Sequence, residues 1–221
     1  MIPLRDVIPS RTTPYITITI IALNGLAWLF ELSLPHEVLT DFLTIYGVVP
    51  AYFSAPTLIT SMFLHGSWSH VLGNMWYLWI FGDNVEDRVG HGRFIVIYLL
   101  CGILAGAGQI AVAPGSALPT IGASGAIAGV MGAYFVLYPH SRVLTLIPWI
   151  FIQIVEVPTI VLLGFWFVMQ LFSAGAIAGT ASTSHGGVAF AAHVVGFVAG
   201  MGGVLVFRKR ELDPWDDART Y

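Results

Sequence analysis

Four polar side chains stand in otherwise apolar stretches of this chain, and their types are those that acyl-transfer chemistry uses. Ser124 lies in a Gly-Ala-Ser-Gly sequence at 122–125, and His193 follows an alanine and precedes Val-Val-Gly. A third stretch carries His70 and Asn74. A serine hydroxyl becomes an effective nucleophile when a base takes its proton, and neutral histidine is the usual base. Ser124 and His193 are therefore the candidate nucleophile and base.

The other polar residues fit the stabilisation of an oxyanion. Attack on an amide creates a negative oxygen that needs preorganised hydrogen-bond donors. His70 and Asn74 stand at i and i+4 and so share one helix face. Both can donate, as can the backbone N–H of Ser124 at a helix N-terminus. Hydrolysis also consumes water, and Gln109, near the outer end of its helix, is the candidate residue for holding it.

Composition places these residues inside a membrane. The chain has 221 residues, of which 57% are hydrophobic and only 10% charged, whereas soluble domains carry about 25% charged residues. This predicts an all-α, polytopic membrane protein with room for about six spans of about 20 residues and for no second domain. The single cysteine, Cys101, cannot form a disulfide within the chain.

The spans are expected in six apolar segments. They lie near 14–33, 67–85, 92–112, 122–138, 157–178 and 187–207. The first is interpreted as a retained helix because 16–34 lacks a small-x-small cleavage site. The apolar segment 42–66 is broken by Gly47, Pro50 and Pro56 and is not a continuous helix. Residues 143–155 are ambiguous: they lie on the membrane surface or extend the fifth span.

Charge sets the orientation. With six spans, all basic residues fall on the N-terminal side of the membrane, which the positive-inside rule makes cytoplasmic. They are Arg5, Arg11, Arg88, Arg93, Arg142, Arg208, Lys209, Arg210 and Arg219. The prediction is a cytoplasmic segment 1–13, a six-helix domain at 14–207 and a cytoplasmic tail at 208–221. The first external loop is then long and partly submerged in the outer leaflet.

The predicted directions bring the polar residues to one depth. The second, fourth and sixth spans all run from outside to inside. His70, Ser124 and His193 then lie within roughly 10 Å of the outer surface. Small residues spaced as Gly125-x-x-x-Gly129 and Gly196-x-x-x-Gly200 let the fourth and sixth spans approach closely.

At these residues the sequence resembles the rhomboid family of intramembrane serine proteases. The motifs are His65-x-x-x-x-His70-x-x-x-Asn74, the Gly-Ala-Ser-Gly of 122–125 and Ala-His193-x-x-Gly-x-x-x-Gly. The resemblance covers about residues 40 to 205, and the number and order of helices agree. It implies that Ser124 is the nucleophile and His193 the base.

The resemblance also implies roles for other residues near the Ser124–His193 pair and in the inner loop. It implies that His70 and Asn74 are oxyanion donors, that Gln109 lies near a water-retention site, and that Glu86-x-x-x-Gly90 belongs to a structural inner loop. It implies membrane-protein substrates and no cofactor, metal or nucleic acid. One position departs from the family, which often has an aromatic residue four positions after the serine. Ala128 stands there, so what orients His193 is open, with Phe190 and Phe197 as candidates.

Several other functions fit these residues less well. Small residues and single polar residues in membrane helices can serve helix packing alone. Three polar residues, His70, Ser124 and His193, at one predicted depth favour catalysis instead. A transporter would show internal sequence repeats, and a metalloprotease would carry a His-Glu-x-x-His motif. Neither feature is present in the sequence. The rival from another class is a catalytically inactive rhomboid-like protein that binds membrane clients or assists their quality control. The short tails and compact size favour a prokaryotic plasma membrane, and the oligomeric state is open.

Overall fold

The structure, a computed structural model, describes residues 1–148, 152–178 and 189–207. These residues form eight α-helices and three β-strands. The helices are α1 Tyr15–Ser33, α2 His36–Tyr46, α3 Thr57–Thr60, α4 Trp68–Val89, α5 His91–Val112, α6 Ser124–Leu137, α7 Thr159–Ala178 and α8 Phe190–Phe207. The strands are β1 Ile2–Asp6, β2 Arg142–Pro148 and β3 Ile152–Pro158.

Three helices, α1, α5 and α8, are each long and apolar enough to cross a membrane. Two more, α6 and the Thr159–Gly175 part of α7, are shorter apolar helices. The chain is therefore an integral membrane protein. Each expected span coincides with a helix (α1, α4, α5, α6, α7 and α8 in order), while the count of six crossings remains a prediction. The start of the sixth span at 187 and the tail 208–221 lie outside the described residues.

A three-stranded sheet shows that the expectation of an all-α fold was wrong in one part. Residues 142–148 and 152–158 do not extend α7, which begins at Thr159, so that alternative was wrong, and a location on the membrane surface stays a prediction. They form the antiparallel strands β2 and β3, with Arg142 opposite Pro158. Strand β1 adds to β2 with Asp6 opposite Val143. Branched residues alternate along β2, with Val143 and Thr145 fully buried, which is the pattern of a half-buried strand. The N-terminal segment is thus part of the fold.

The loop between α1 and α4 is broken into short pieces, as its glycine and prolines predicted. Helices α2 and α3 alternate with 3-10 turns at Pro50–Tyr52 and Ser61–Phe63. Val48 pairs through backbone hydrogen bonds of 3.0 and 2.8 Å with Thr120, in the loop before α6. The amide of Gly122 also donates to the carbonyl of Ser61 at 2.8 Å. The long loop therefore supports the backbone that leads to Ser124.

Helices α6 and α8 touch backbone to backbone, as the glycine spacing predicted. A Cβ atom added at Gly196 would overlap the carbonyl oxygen of Gly125, and one added at Gly200 would overlap that of Gly129. Without a hydrophobic driving force between helices in lipid, such close approach lets dispersion contacts hold the pair together. The contact carries His193, one turn before Gly196, toward the start of α6.

At the opposite end of the bundle, Glu86 of α4 caps helix α1. Residue Pro14 precedes α1 and supplies no side-chain cap. The fully buried carboxylate of Glu86 instead accepts from the backbone N–H groups of Ile16 at 2.9 Å and Thr17 at 2.8 Å. The Thr17 hydroxyl donates to it at 2.7 Å. A carboxylate at a helix N-terminus satisfies free donors and interacts favourably with the helix dipole.

Replacement of Glu86 by alanine is expected to destabilise the protein by about 3 kcal/mol, because buried donors lose their acceptor. The measurement is thermal unfolding of purified protein in detergent. The control is Glu37→Ala, which removes an exposed acid from the first turn of α2 and should change the unfolding temperature little. Equal losses in the two variants would contradict the capping role.

Candidate active site

The structure brings Ser124 and His193 within hydrogen-bonding distance. Ser124 is the first residue of α6, and His193 lies in the first turn of α8. The imidazole Nε2 is 2.8 Å from the Ser124 Oγ. The histidine is buried, with 7% of its surface exposed. The two groups that the sequence placed at one depth thus form a pair with the geometry that proton transfer requires.

Gln170 of α7 fixes which ring nitrogen of His193 holds the proton. Its side-chain Oε1 lies 2.8 Å from the imidazole Nδ1. An amide oxygen accepts and does not donate. Nδ1–H therefore donates to Gln170, and the free lone pair of Nε2 faces the hydroxyl of Ser124. This is the tautomer that a general base needs.

Aromatic side chains enclose the same imidazole. Trp166, one turn before Gln170, lies 5.9 Å from the ring with an interplanar angle of 34°. Phe190 meets the ring edge-on at 6.4 Å. Phe197 lies 5.9 Å from Trp166 and supports His193 through that residue. Of the two candidates from sequence, Phe190 makes the direct contact, while Trp166 and Gln170 were missed.

His70 and Asn74 border the backbone that leads into Ser124. Gly122 has a φ of 118°, a conformation that favours glycine. A Cβ atom there would lie 2.6 Å from the Nε2 of His70 and 3.6 Å from the Nδ2 of Asn74. Glycine is therefore required at 122 for two reasons. The two predicted donors lie on the N-terminal side of Ser124, beside the start of α6.

A buried polar chain holds Asn74 in place. Its amide nitrogen lies 3.0 Å from the Nε2 of His65. His65 lies in the loop before α4, and burial, with a smaller contribution from His70, lowers the pKa of His65 to about 4. The ring is therefore neutral near pH 7 and accepts from Asn74, which keeps its second N–H. The backbone N–H of His65 donates at 3.1 Å to the buried carboxylate of Glu31, near the end of α1.

Gln109 lies near the end of α5 and makes no hydrogen bond to Ser124 or His193 among the described residues. Its Oε1 is buried and accepts no hydrogen bond from the part of the chain that the structure describes. The preceding residue, Gly108, packs against Val195 of α8. Gln109 thus offers a buried acceptor near α8, as a water ligand requires.

Fold and site together define an integral membrane protein with a half-buried serine and a buried histidine paired in its helical bundle. The Rhomboid domain family matches residues 53–210, and the chain belongs to this family.

Three relatives show how far the similarity extends. Rhomboid-like protein 11, chloroplastic, of Arabidopsis thaliana is 28% identical over 192 residues, which are 83% of this chain and 62% of that protein. The Putative rhomboid protease YdcA of Bacillus subtilis (strain 168) is 35% identical over 127 residues, 56% of this chain and 62% of that protein. Rhomboid protease GluP of the same organism is 41% identical over 85 residues, 38% of this chain and 16% of that protein. The aligned regions span about three-fifths of the first two relatives.

Proposed function

We propose that this protein is an intramembrane serine endopeptidase that cleaves transmembrane helices of membrane-protein substrates through a Ser124–His193 dyad. The observation that carries the proposal is the 2.8 Å contact between the Ser124 Oγ and the imidazole Nε2, with Nδ1 held by Gln170. Membership of a family with relatives named rhomboid proteases supports it.

The reaction follows from the positions of these groups. Ser124 Oγ attacks the carbonyl carbon of the scissile bond, and its proton passes to His193 Nε2. The resulting oxyanion accepts from the Ser124 backbone N–H and from Asn74 and His70. The C–N bond then breaks, and His193 gives its proton to the leaving amine. A water, for which Gln109 is the candidate ligand, attacks the acyl-enzyme. It transfers a proton to His193, which returns it to Ser124 as the carboxyl product leaves.

The substrate class follows from the depth of the dyad. A transmembrane helix that reaches the site from the lipid, past α7, must unwind locally because its carbonyls are hydrogen-bonded within the helix. Segments with small or helix-breaking residues should therefore be cleaved preferentially. No cofactor or metal takes part in the steps above.

The proposed orientation places both termini in the cytoplasm. In support, the backbone of Arg11 donates to Asp87 at the end of α4, and Val7 donates to the carbonyl of Arg142 after α6. These basic residues therefore lie at one end of the bundle, opposite the start of α6. A prokaryotic plasma membrane remains a prediction, since the relatives include a bacterial and a chloroplastic protein.

Labelling by a serine-directed fluorophosphonate tests the dyad. Purified protein should be labelled at Ser124, because His193 activates that hydroxyl alone. Ser124→Ala should abolish labelling, and His193→Ala should slow it by on the order of 100-fold or more. Labelling that survives loss of the histidine at the normal rate would contradict its role as base. The rival function, an inactive client-binding protein, predicts that the wild-type protein is not labelled.

A further inference from the structure

We propose that Gln170 is a positioning residue for the reaction: it holds His193 in the base-competent tautomer and takes the place of the acidic third member of a catalytic triad. The inference rests on the proposed function, because it assigns a role within that same site. It goes beyond a serine–histidine dyad by giving the base a partner on α7.

The surroundings of Gln170 show that its side chain is directed at the histidine. Helix α7 is lined by exposed apolar residues, including Phe165 and Phe172. Gln170 is buried, with 9% of its surface exposed, and its amide oxygen lies 2.8 Å from the Nδ1 of His193. A polar residue in such a helix is costly unless it has a partner. In the structure that partner is the proposed base.

Two features of α7 act on the same ring. Trp166 and Gln170 are four residues apart and share one helix face. The indole covers the imidazole at 5.9 Å, while the amide accepts its Nδ1–H. Phe167 stacks on Phe197 at 4.7 Å and fixes α7 against α8. Helix α7 therefore orients the base from outside the α6–α8 pair.

The small residue at 128 explains why this support comes from α7. Ala128 is buried in α6, and its Cβ would lie 3.5 Å from a Cβ atom added at Gly196. An aromatic side chain at 128 would have to fit where α6 and α8 touch. With alanine at 128, α6 and α8 pack closely against each other. The side chains of α7 then orient His193.

The role is chemical as well as steric. Without an acceptor at Nδ1, the imidazole proton is free to occupy Nε2, and Nε2–H cannot take the proton of Ser124. Once Nε2 is protonated, the Nδ1–H bond to Gln170 also stabilises the imidazolium. A glutamate at 170 would retain the acceptor and add negative charge. A methionine would fill a similar volume and accept only weakly.

The experiment compares the wild-type protein with Gln170→Met and Gln170→Glu by the rate of fluorophosphonate labelling across pH. Q170M should lower the maximal rate by on the order of 10- to 100-fold, and Q170E should restore most of it. On the acid side of the pH–rate profile, the pH of half-maximal labelling should be lowest in Q170M, intermediate in the wild type and highest in Q170E. In this order the side chain at 170 stabilises the imidazolium of His193 increasingly. Gln153→Met, at an exposed position of β3, is the matched control and should match the wild type.

Each result decides the assignment. A wild-type rate in Q170M, or one midpoint shared by all three proteins, would reduce Gln170 to a packing residue and overturn the inference. If Q170M fails to unfold cooperatively in detergent, the comparison of Q170E with the wild type decides alone. An active Q170E protein with a raised midpoint supports the inference. An inactive Q170E protein or an unchanged midpoint overturns it. An unlabelled wild-type protein would instead sink the proposed function, so the two failures are distinguishable.

Discussion

Replacing Ser124 by alanine should reduce cleavage of membrane-embedded reporters to the background rate. The chemical step needs an oxygen nucleophile at this point, and the neighbouring donors cannot supply one. Loss of the nucleophile in serine proteases typically lowers kcat by on the order of 10⁴-fold or more. The measurement is cleavage of a panel of reporter spans, with varied glycine and proline content, by purified wild-type and variant proteins in the same lipid vesicles.

Ser33→Ala is the matched control for this experiment. Ser33 is exposed at the end of α1, where its hydroxyl bonds only to the carbonyl of Phe30 among the described residues, and its loss should leave cleavage unchanged. Normal cleavage by Ser124→Ala would end the assignment of the nucleophile. A wild-type protein that retains the reporters uncleaved would favour the client-binding alternative. Preferential cleavage of glycine- and proline-containing spans would support local unwinding of the substrate.

The meeting of Ser124 and His193 could be predicted from the sequence, because polar residues are rare in membrane helices and their partners are correspondingly few. Apolar segments of about 20 residues predict transmembrane helices, and a polar side chain within such a helix needs a polar partner. Ser124 and His193 were found in this way, and their meeting followed from span direction. The glycine spacing at Gly196 and Gly200 predicted the contact between α6 and α8, because only very small residues allow it.

The sheet could not be predicted by the same reasoning. Residues 143–155 are as apolar as a helix, so hydropathy does not distinguish strands β2 and β3 from an extension of the fifth span. The alternation of branched residues along β2 was the available signal. Strand β1 pairs with residues about 140 positions away, and nothing local in Ile2–Asp6 specifies that partner. Long-range strand pairing is set by tertiary structure.

The support of His193 was missed for a different reason. The three apolar segments 122–138, 159–178 and 187–207 contain no carboxylate, and the partner of His193 in the structure is a neutral amide. Gln170 stands alone as a long polar side chain in α7, four residues after Trp166, and that isolation was the usable signal. Glu31, the only charged residue in α1, carried a similar signal. Its acceptor role toward the His65 backbone could not be derived, because it depends on the path of a long loop.

Gly200→Ala should lower both stability and activity, although Gly200 touches neither reacting group. A single methyl group there would overlap the carbonyl oxygen of Gly129, and α8 would have to move away from α6. Overpacking of this kind costs about 1–3 kcal/mol. A displacement of about 1 Å between nucleophile and base lowers the rate by on the order of 100-fold. Thermal unfolding and fluorophosphonate labelling of the same sample measure the two effects.

Gly202→Ala provides the control within the same helix. A Cβ atom at Gly202 meets nothing within 4 Å, and alanine favours helix more than glycine does, so this variant should be as active and at least as stable as the wild type. If Gly200→Ala behaved the same way, the close contact between α6 and α8 would not be what holds His193 against Ser124. If only the Gly200 variant loses labelling while it still unfolds cooperatively, helix separation itself sets the distance on which the chemistry depends.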